Sequence, residues 1–231
     1  MKIFYPDNSV KMKVLCFDTE TTGLWKNPKA LITDDKNWPY IIQLAWILLD
    51  METGRVISSN SFIIKLANDQ KIPAESTKIH GITNEDMDLY GIDIKDVFVK
   101  FLKDLDETTY LVAHNLNFDQ KILRVELYRN KFFKYVNGNN CIKYCTMKTA
   151  QKLYRFRSVK TGRVVKKYPK LKELHSFLFH DKLNEYLLHD ALEYTLVCLR
   201  FFYKMLMNKD IKDSNQNLDN ISHVFKVEDK C

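Results

Sequence analysis

The chain has 231 residues, 45% of them hydrophobic and 28% charged, which is typical of a globular protein large enough for a buried core. It contains no apolar run of about eighteen residues and begins without the apolar core of a signal peptide, so we expect a soluble, intracellular protein of the cytoplasm or nucleus. The net charge of +7 and a pI of about 9.0 favour a polyanionic partner. The five cysteines are odd in number and unevenly spaced, which argues against a disulfide framework and for a reducing compartment.

Taken in chain order, the hydrophobic pattern predicts a β-rich first part followed by alternating helices and strands. The strands are expected at residues 14–17, 40–50, 55–64, 110–113 and 141–147. The longer helices are expected at residues 94–105, 119–133, 149–154, 171–179 and 187–207. Two short helices are expected before them, one between Pro73 and Gly81 and one that follows the N-cap residue Thr83. This order is typical of an α/β fold with a mixed sheet and helices on both sides.

No internal repeat and no linker divides the chain, so we expect one domain over residues 1–207. The stretch 208–231 is rich in Asn, Asp, Lys and Ser, a composition that predicts a mobile polar tail.

Two acids, Asp18 and Glu20, follow the apolar run of the first strand. Side chains two positions apart in a strand project to the same side, about 6.8 Å apart along the chain. They could be two solvated acids at a strand end, but uncompensated like charges near a core are costly. A divalent cation between them removes that cost, and carboxylate oxygens suit Mg²⁺ or Mn²⁺.

The surrounding residues, Phe-Asp-Thr-Glu-Thr-Thr-Gly from Phe17 to Gly23, resemble the first motif of the DEDD exonuclease superfamily, of the proofreading-subunit type. The resemblance implies a ribonuclease H-like fold with a five-stranded mixed sheet. It also implies a phosphodiester hydrolase with two Mg²⁺ or Mn²⁺ ions, held by about four carboxylates from distant parts of the chain. Asp18 and Glu20 would be two of these catalytic ligands.

A second motif follows the predicted strand 110–113. The residues His114-Asn115-x-x-Phe118-Asp119 resemble the second motif of the same superfamily. From its position alone, Asp119 could equally be a helix N-cap. The resemblance implies that it is the third catalytic metal ligand, and that His114 and Asn115 hold the loop or touch the substrate.

The third motif departs from the superfamily pattern. In the branch that uses a histidine base, a His is followed five residues later by an Asp on the last long helix. His189 stands in the expected context, and its near-neutral pKa suits a general base, but the residue five positions on is Tyr194. The fourth carboxylate is therefore missing from its place.

Three residues or registers could replace that carboxylate. Asp190 lies one helical turn, about 5.4 Å, from Tyr194 on the same helix face, whereas Glu193 points about a quarter-turn aside. A shifted register, Tyr186-x-x-x-Asp190, fits the other branch of the superfamily, in which a tyrosine orients the water. Asp190 is common to the first and the last possibility, and we take it as the fourth metal ligand. A site without a fourth acid, in a protein that only binds nucleic acid, remains the alternative.

Two further segments bear on the substrate. Residues 72–83, which include His80, are similar to a segment that lies beside the substrate groove in the superfamily, and Thr21 belongs to the first motif. Between residues 152 and 172 there are nine Lys or Arg residues and no acid, with aromatic residues interleaved. Such a run is normally a solvated surface, but basic side chains with stackable aromatics are also what single strands bind. We therefore assign substrate binding to Thr21, His80, His114, Asn115, Lys166, Lys167 and Lys170.

The matches extend from about residue 13 to residue 204. They imply a metal-dependent 3′→5′ exonuclease that releases 5′-mononucleotides from the 3′ end of single-stranded or frayed DNA. Oligoribonuclease activity or RNA 3′ trimming is the alternative within the same class, because the motifs do not separate the two sugars. A catalytically weakened nucleic-acid-binding protein is the alternative from another class. The expected partners are the 3′ ends of single-stranded DNA or RNA, and whether a polymerase is a further partner stays open.

Overall fold

The computed structural model describes residues 12–67, 70–157, 161–180, 183 and 190–213. Within them lies a five-stranded mixed sheet in the order β3-β2-β1-β4-β5, with β1 antiparallel to β2, β2 antiparallel to β3, and β1, β4 and β5 parallel. The strands are β1 (Lys13–Thr21), β2 (Ile41–Asp50), β3 (Val56–Ile63), β4 (Tyr110–Ala113) and β5 (Ile142–Cys145). This arrangement confirms the predicted α/β fold with a mixed sheet.

Eight helices accompany the sheet in the described residues. They are α1 (Ala74–His80), α2 (Asn84–Tyr90), α3 (Ile94–Asp106), α4 (Leu116–Arg129), α5 (Phe133–Val136), α6 (Thr146–Leu153), α7 (Leu171–Phe179) and α8 (Ala191–Met207). A small hairpin, β6 (Phe156–Arg157) and β7 (Val164–Val165), precedes α7. None of these helices is long and apolar enough to cross a membrane.

The two faces of β1 are covered by different helices, as the alternation of side chains in a strand requires. Leu15 and Phe17 belong to a core shared with α3 and α4, whereas Val14 and Cys16 belong to a core shared with α8. Asp18 and Glu20 continue the second series. The sheet therefore directs both acids toward the side on which α8 packs.

The first strand is longer than the sequence predicts. We expected it to end at residue 17, before the acids, but β1 continues to Thr21 because β2 pairs with it along its whole length. The pairing places Asp18 opposite Ala45 and Glu20 opposite Gln43. The two acids are thus fixed by a backbone ladder and do not stand in a free loop.

Three of the longer helices also have boundaries that differ from the expectation by three residues or more. The helix expected over residues 149–154 begins at Thr146 and ends at Leu153, because the strand expected over residues 141–147 already ends at Cys145. The helix expected over residues 119–133 begins at Leu116 and ends at Arg129, because Asn115 takes a left-handed conformation (φ 71°) that turns the chain directly from β4 into α4. The helix expected over residues 187–207 begins at Ala191 with Asp190 as its N-cap. Residues 184–189 lie outside the described residues.

The chain remains packed beyond residue 207. Ile211 is buried against the α8 core, and Arg200 of α8 donates to the carboxylate of Asp210 from Nε at 3.0 Å (to Oδ1) and from Nη2 at 2.6 Å (to Oδ2). The packed region therefore extends at least four residues into the expected tail, to Ile211. Residues 214–231 lie outside the described residues, so the division into a domain and a tail stays a prediction.

Arg129, at the end of α4, anchors the long connection between β1 and β2. It donates hydrogen bonds to the backbone oxygens of Trp38 and Pro39, both at 3.0 Å, and to Glu126 Oε1 at 2.8 Å. Its guanidinium also lies 4.1 Å from the ring centre of Tyr40. Glu126 is buried, and burial raises its pKa while Arg129 opposes that rise.

The variant Arg129→Met should lower the free energy of unfolding by about 3 kcal/mol, because it leaves the buried Glu126 carboxylate without its cation. Urea denaturation followed by circular dichroism measures the change. The double variant Arg129→Met/Glu126→Gln should recover part of the loss, since no buried charge then remains. A loss below about 1 kcal/mol in the single variant would show that Arg129 does not stabilise this region.

Candidate active site

The candidate site lies where β1 and its parallel neighbour β4 end. Because the two strands run in the same direction, their carboxyl ends meet at one edge of the sheet. β1 brings Asp18 and Glu20 to this edge. β4 ends at Ala113, and the turn through His114 and Asn115 leads into α4.

Asp119 reaches this edge from the first turn of α4. It is 3% exposed, and its Oδ1 accepts a hydrogen bond of 2.9 Å from Thr19 Oγ1. Thr19 stands between Asp18 and Glu20 on β1, so this bond joins the second motif to the first. Burial raises the pKa of Asp119 to about 7, although the Thr19 hydroxyl favours the ionised form.

The two β1 acids respond to the same surroundings. Burial raises the pKa of Asp18 well above its usual range, and the negative charges of Asp119 and Glu20 raise it further. The pKa of Glu20 is raised to about 7 by burial first and then by Asp119 and Asp190. Like charges have such effects only over short distances. The geometry agrees: Asp119 is bonded to Thr19, between the two β1 acids, and Asp190 is bonded to Gln43, the residue opposite Glu20.

Asp190 is held by the protein on both of its carboxylate oxygens. Oδ1 caps α8 by accepting a hydrogen bond of 2.7 Å from Leu192 N, and Oδ2 accepts one of 2.9 Å from Gln43 Nε2. Gln43 in turn accepts a hydrogen bond of 3.2 Å from Ala191 N through its Oε1. The sequence reasoning missed Gln43. The available signal was a lone polar residue in the otherwise unbroken apolar strand β2.

Tyr194 lies one turn along α8 from Asp190 and is half-buried against the apolar cluster to which α6, α7 and α8 contribute. Burial raises its pKa, and the charges of Asp18 and Glu20 raise it further. The phenol is therefore neutral at physiological pH and stands close to both β1 acids. At this position the site has a hydroxyl group where the superfamily motif has a carboxylate. Glu193, its neighbour, is half-buried on the same helix.

His189, the expected general base, and Tyr186 of the shifted register lie outside the described residues. The roles assigned to them stay predictions.

Two of the predicted substrate residues outside the basic segment, Thr21 and His80, have side-chain hydrogen bonds within the protein. Thr21 Oγ1 donates to the Gly23 carbonyl at 2.7 Å, and His80 Nδ1 accepts from Ile82 N at 3.1 Å. Both residues are buried, whereas Asn115 is exposed at the turn into α4. Their contact with a substrate stays a prediction.

His114 connects three parts of the structure. Its Nδ1 lies 2.9 Å from Thr146 Oγ1 at the start of α6, and its Nε2 lies 3.2 Å from the carbonyl oxygen of Pro169. Burial lowers its pKa to about 4, so the ring is neutral at pH 7. A neutral ring that donates from Nε2 to Pro169 must accept the Thr146 hydroxyl at Nδ1. His114 thus fixes the loop, one of the two roles expected for it.

The basic segment surrounds the β6–β7 hairpin and the start of α7. Lys166 and Lys170 are exposed, and Tyr168 between them is 53% exposed. Lys167 forms a salt bridge with Glu173 of α7, which neutralises much of its charge locally. Of the three predicted lysine contacts, Lys166 and Lys170 are the exposed ones, and the Glu173 carboxylate also lies close to Lys170, whose backbone N donates to it at 2.9 Å.

The candidate site offers carboxylate oxygens, the ligand type that a divalent ion such as Mg²⁺ prefers. In the described part of the chain, no three His, Cys, Asp or Glu side chains already surround a common point as metal ligands would. Asp119 and Asp190 are instead directed toward Thr19 and Gln43. Nevertheless, the chemistry of the set fits a hard cation, because neighbouring buried carboxylates that raise one another's pKa are stabilised by positive charge between them.

The sequence of the chain matches those of known proteins. An exonuclease family model, RNase_T, matches residues 15–202. The DNA polymerase III subunit epsilon of Buchnera aphidicola is 27% identical over 182 residues, which are 77% of this chain and 70% of that protein. The epsilon subunit of Rickettsia conorii is 29% identical over 119 residues, and the match covers 50% of this chain and 44% of that protein.

Solved structures show the same fold. Exonuclease I of E. coli, in complex with a 5cy-dT13 oligonucleotide, superposes with a TM-score of 0.64 at 17% identity, over 92% of this chain and 44% of that chain. A zinc-bound form of the E. coli ExoI–ssDNA complex superposes with a TM-score of 0.61 at 19% identity, over 86% of this chain and 42% of that chain. The chain thus spans less than half of these larger proteins. These superpositions confirm the ribonuclease H-like fold, and because the family model covers most of the sequence, the chain belongs to the RNase_T exonuclease family of the DEDD superfamily.

Proposed function

We propose that this exonuclease-family protein removes 5′-mononucleotides from the 3′ end of single-stranded or frayed DNA by metal-dependent hydrolysis. The observation that supports this most directly is the carboxylate cluster at the end of β1. Asp18, Glu20 and Asp119 come from two motifs about 100 residues apart, and each of the three has a raised pKa. Such a cluster has no benefit for folding, because its members repel one another in a partly buried place.

In this proposal Asp18, Glu20 and Asp119 would hold two Mg²⁺ or Mn²⁺ ions, with Asp190 as the fourth ligand. When bound, such ions supply an activated water and neutralise the charge that develops on the phosphate oxygens. Asp190 already accepts one hydrogen bond on each oxygen. Since a carboxylate oxygen has two lone pairs, each oxygen keeps one for a further partner.

His189 is the proposed general base. It accepts the proton of the attacking water while a bond forms between the water oxygen and the phosphorus. The bond between phosphorus and the 3′ oxygen of the preceding nucleotide breaks, and that oxygen leaves as a hydroxyl after taking up a proton from solvent water. The products are one 5′-mononucleotide and a strand shortened by one nucleotide.

The basic segment supports a single-stranded substrate. Lys166 and Lys170 flank the exposed ring of Tyr168, so phosphate attraction and base stacking are available side by side. Phosphate contacts do not distinguish bases, and we therefore expect little sequence preference. The oligonucleotide complexes of E. coli Exonuclease I, which share the fold, agree with a single strand as the ligand class.

Digestion of end-labelled oligonucleotides tests the direction and the sugar preference. A DNA strand labelled at its 5′ end should give a ladder of progressively shorter products with Mn²⁺ or Mg²⁺, and a 3′ label should appear at once as a mononucleotide. EDTA should abolish both results. Faster digestion of an RNA strand of the same sequence would favour RNA trimming, and immediate release of a 5′-labelled mononucleotide would contradict the proposed polarity.

Tyr194 favours a second candidate, a protein that binds nucleic acid without cleaving it. The phenol occupies the position at which the superfamily motif has its fourth carboxylate, so the site has one negative charge fewer there for metal binding.

The pair of variants Asp190→Asn and Tyr194→Asp distinguishes the two candidates. If Asp190 is the fourth ligand, Asp190→Asn should lower the turnover number by about 100-fold, as removal of a group that supports a metal site does. Tyr194→Asp should then change it little. Turnover is measured on a labelled oligonucleotide with saturating Mn²⁺. A strong gain of activity in Tyr194→Asp, or full activity in Asp190→Asn, would instead identify the natural protein as a weakened nuclease or show that Asp190 is not a ligand.

The raised pKa values of Glu20 and Asp119 predict how the stability of the metal-free protein depends on pH. Both groups have a pKa of about 7 in the folded chain, against about 4 in an unfolded chain. The folded state therefore binds more protons between these values, and the free energy of unfolding should fall as the pH rises from about 5 to about 8. Mg²⁺ binds the ionised carboxylates, so the stabilisation it gives should grow over the same range.

Thermal unfolding in EDTA and in excess Mg²⁺ checks this dependence. The variant Asp119→Asn is the control, because it can still accept the Thr19 hydrogen bond but does not titrate. Its melting temperature should fall less than that of the natural protein between about pH 5 and about pH 8. An equal fall in the variant and the natural protein would mean that Asp119 does not titrate in this range.

The two exposed lysines predict the salt dependence of binding. Lys166→Glu and Lys170→Glu should each weaken binding of single-stranded DNA and each lower the slope of log K against log salt by about 1, with little dependence on sequence. Fluorescence anisotropy with a labelled strand in EDTA measures binding without cleavage. Lys103→Glu makes the same charge change on α3 and should leave the slope nearly unchanged. Equal effects of all three variants would show that only the net charge matters.

A further inference from the structure

We infer that Gln43 is a positioning residue that fixes the N-terminal end of α8, and with it Asp190, beside Glu20. The inference rests on the proposed function, because it gives Gln43 a role in the metal site of that reaction. It adds to the site a residue that none of the sequence motifs contains.

The contacts of Gln43 account for its whole side-chain amide. Nε2 donates to Asp190 Oδ2 at 2.9 Å and to Ser61 Oγ of β3 at 3.0 Å, and Oε1 accepts from Ala191 N at 3.2 Å. Gln43 is 4% exposed, so water does not replace these bonds. Three bonds from opposite ends of one amide leave the side chain a single orientation.

The position of Gln43 in the sheet gives these contacts a consequence for the site. Gln43 is the direct partner of Glu20 in the β1–β2 register. Side chains directly opposite in an antiparallel pair lie about 5 Å apart at their Cβ atoms. A carboxylate bonded to the Gln43 amide therefore stands next to Glu20, and the contribution of Asp190 to the raised pKa of Glu20 agrees with this placement.

Because Tyr194 stands where the motif has an acid, the hydrogen bond between Gln43 and Asp190 becomes more important for the metal site. With a phenol in the place of the expected acid, Asp190 is the α8 carboxylate that the described contacts hold beside the β1 acids. Its backbone position is set by the helix cap, but the direction of Oδ2 is set by Gln43 alone among the described donors. An apolar residue at position 43 would fill the space and leave Oδ2 free to turn away.

A purely structural role for Gln43 makes a different prediction. Loss of its hydrogen bonds would then lower stability and activity to the same extent whether or not residue 190 carries a carboxylate. A positioning role requires that the effect on the site disappear once that carboxylate is absent. A double-variant cycle separates the two roles.

The cycle combines Gln43→Met, which keeps the side-chain length without hydrogen-bonding groups, with Asp190→Ser, which keeps an oxygen for the N-cap of α8. Ser61→Ala is the matched control, because it removes the other acceptor of Gln43 Nε2 and leaves the Asp190 bond intact. Two quantities are measured in each variant: the Mn²⁺ affinity, from the free-ion signal in electron paramagnetic resonance, and kcat and KM on a labelled oligonucleotide. Thermal unfolding checks that each variant is folded.

Gln43→Met should weaken Mn²⁺ binding and lower kcat by about tenfold in the natural background, with KM changed little. In the Asp190→Ser background it should change both by less than about twofold, and Ser61→Ala alone should also stay within about twofold. Equal effects in both backgrounds, or none in either, would overturn the positioning role while the proposed nuclease function stands. A natural protein that neither binds Mn²⁺ nor cleaves any oligonucleotide would overturn the proposed function, and the inference with it.

Discussion

Repulsion between carboxylates at the end of one strand is the constraint on which the site depends. Asp18 and Glu20 project to the same side of β1, and Asp119 is brought against the same strand by its bond to Thr19. The backbone ladder with β2 and the turn at Asn115 hold these acids together against their mutual repulsion. The cost of that arrangement, visible in the raised pKa values, is what a bound cation would relieve.

The sequence predicts the fold well where hydrophobic periodicity is strong. The strand at residues 110–113 and the helix at 171–179 have the predicted bounds, because their apolar residues alternate or recur without interruption. The predicted end of β1 was wrong by four residues. Polar residues after an apolar run usually indicate that the strand has ended, and only the pairing with β2 shows that β1 continues. The start of α4 was wrong by three, since only the left-handed conformation of Asn115 permits so short a connection.

The sequence predicts the candidate site only in part, because some of its features are local and others depend on contacts between remote residues. Motif spacing predicts which acids are functional candidates, because their residue types and neighbours are local features. It cannot predict Gln43, whose contacts with Asp190 join residues 147 positions apart. Nor can local sequence show that His114 is neutral and bonded on both ring nitrogens, since this depends on Thr146 and Pro169 arriving from other elements.

The bonds of His114 also connect two regions that are far apart in the sequence. The ring joins the Pro169 carbonyl, within the basic segment, to the turn from which α4 and Asp119 begin. Because Nδ1 is bonded to Thr146 and Nε2 to Pro169, the ring cannot rotate without losing one of these bonds. The His114 ring therefore acts as a fixed spacer between the basic segment and the turn that precedes Asp119.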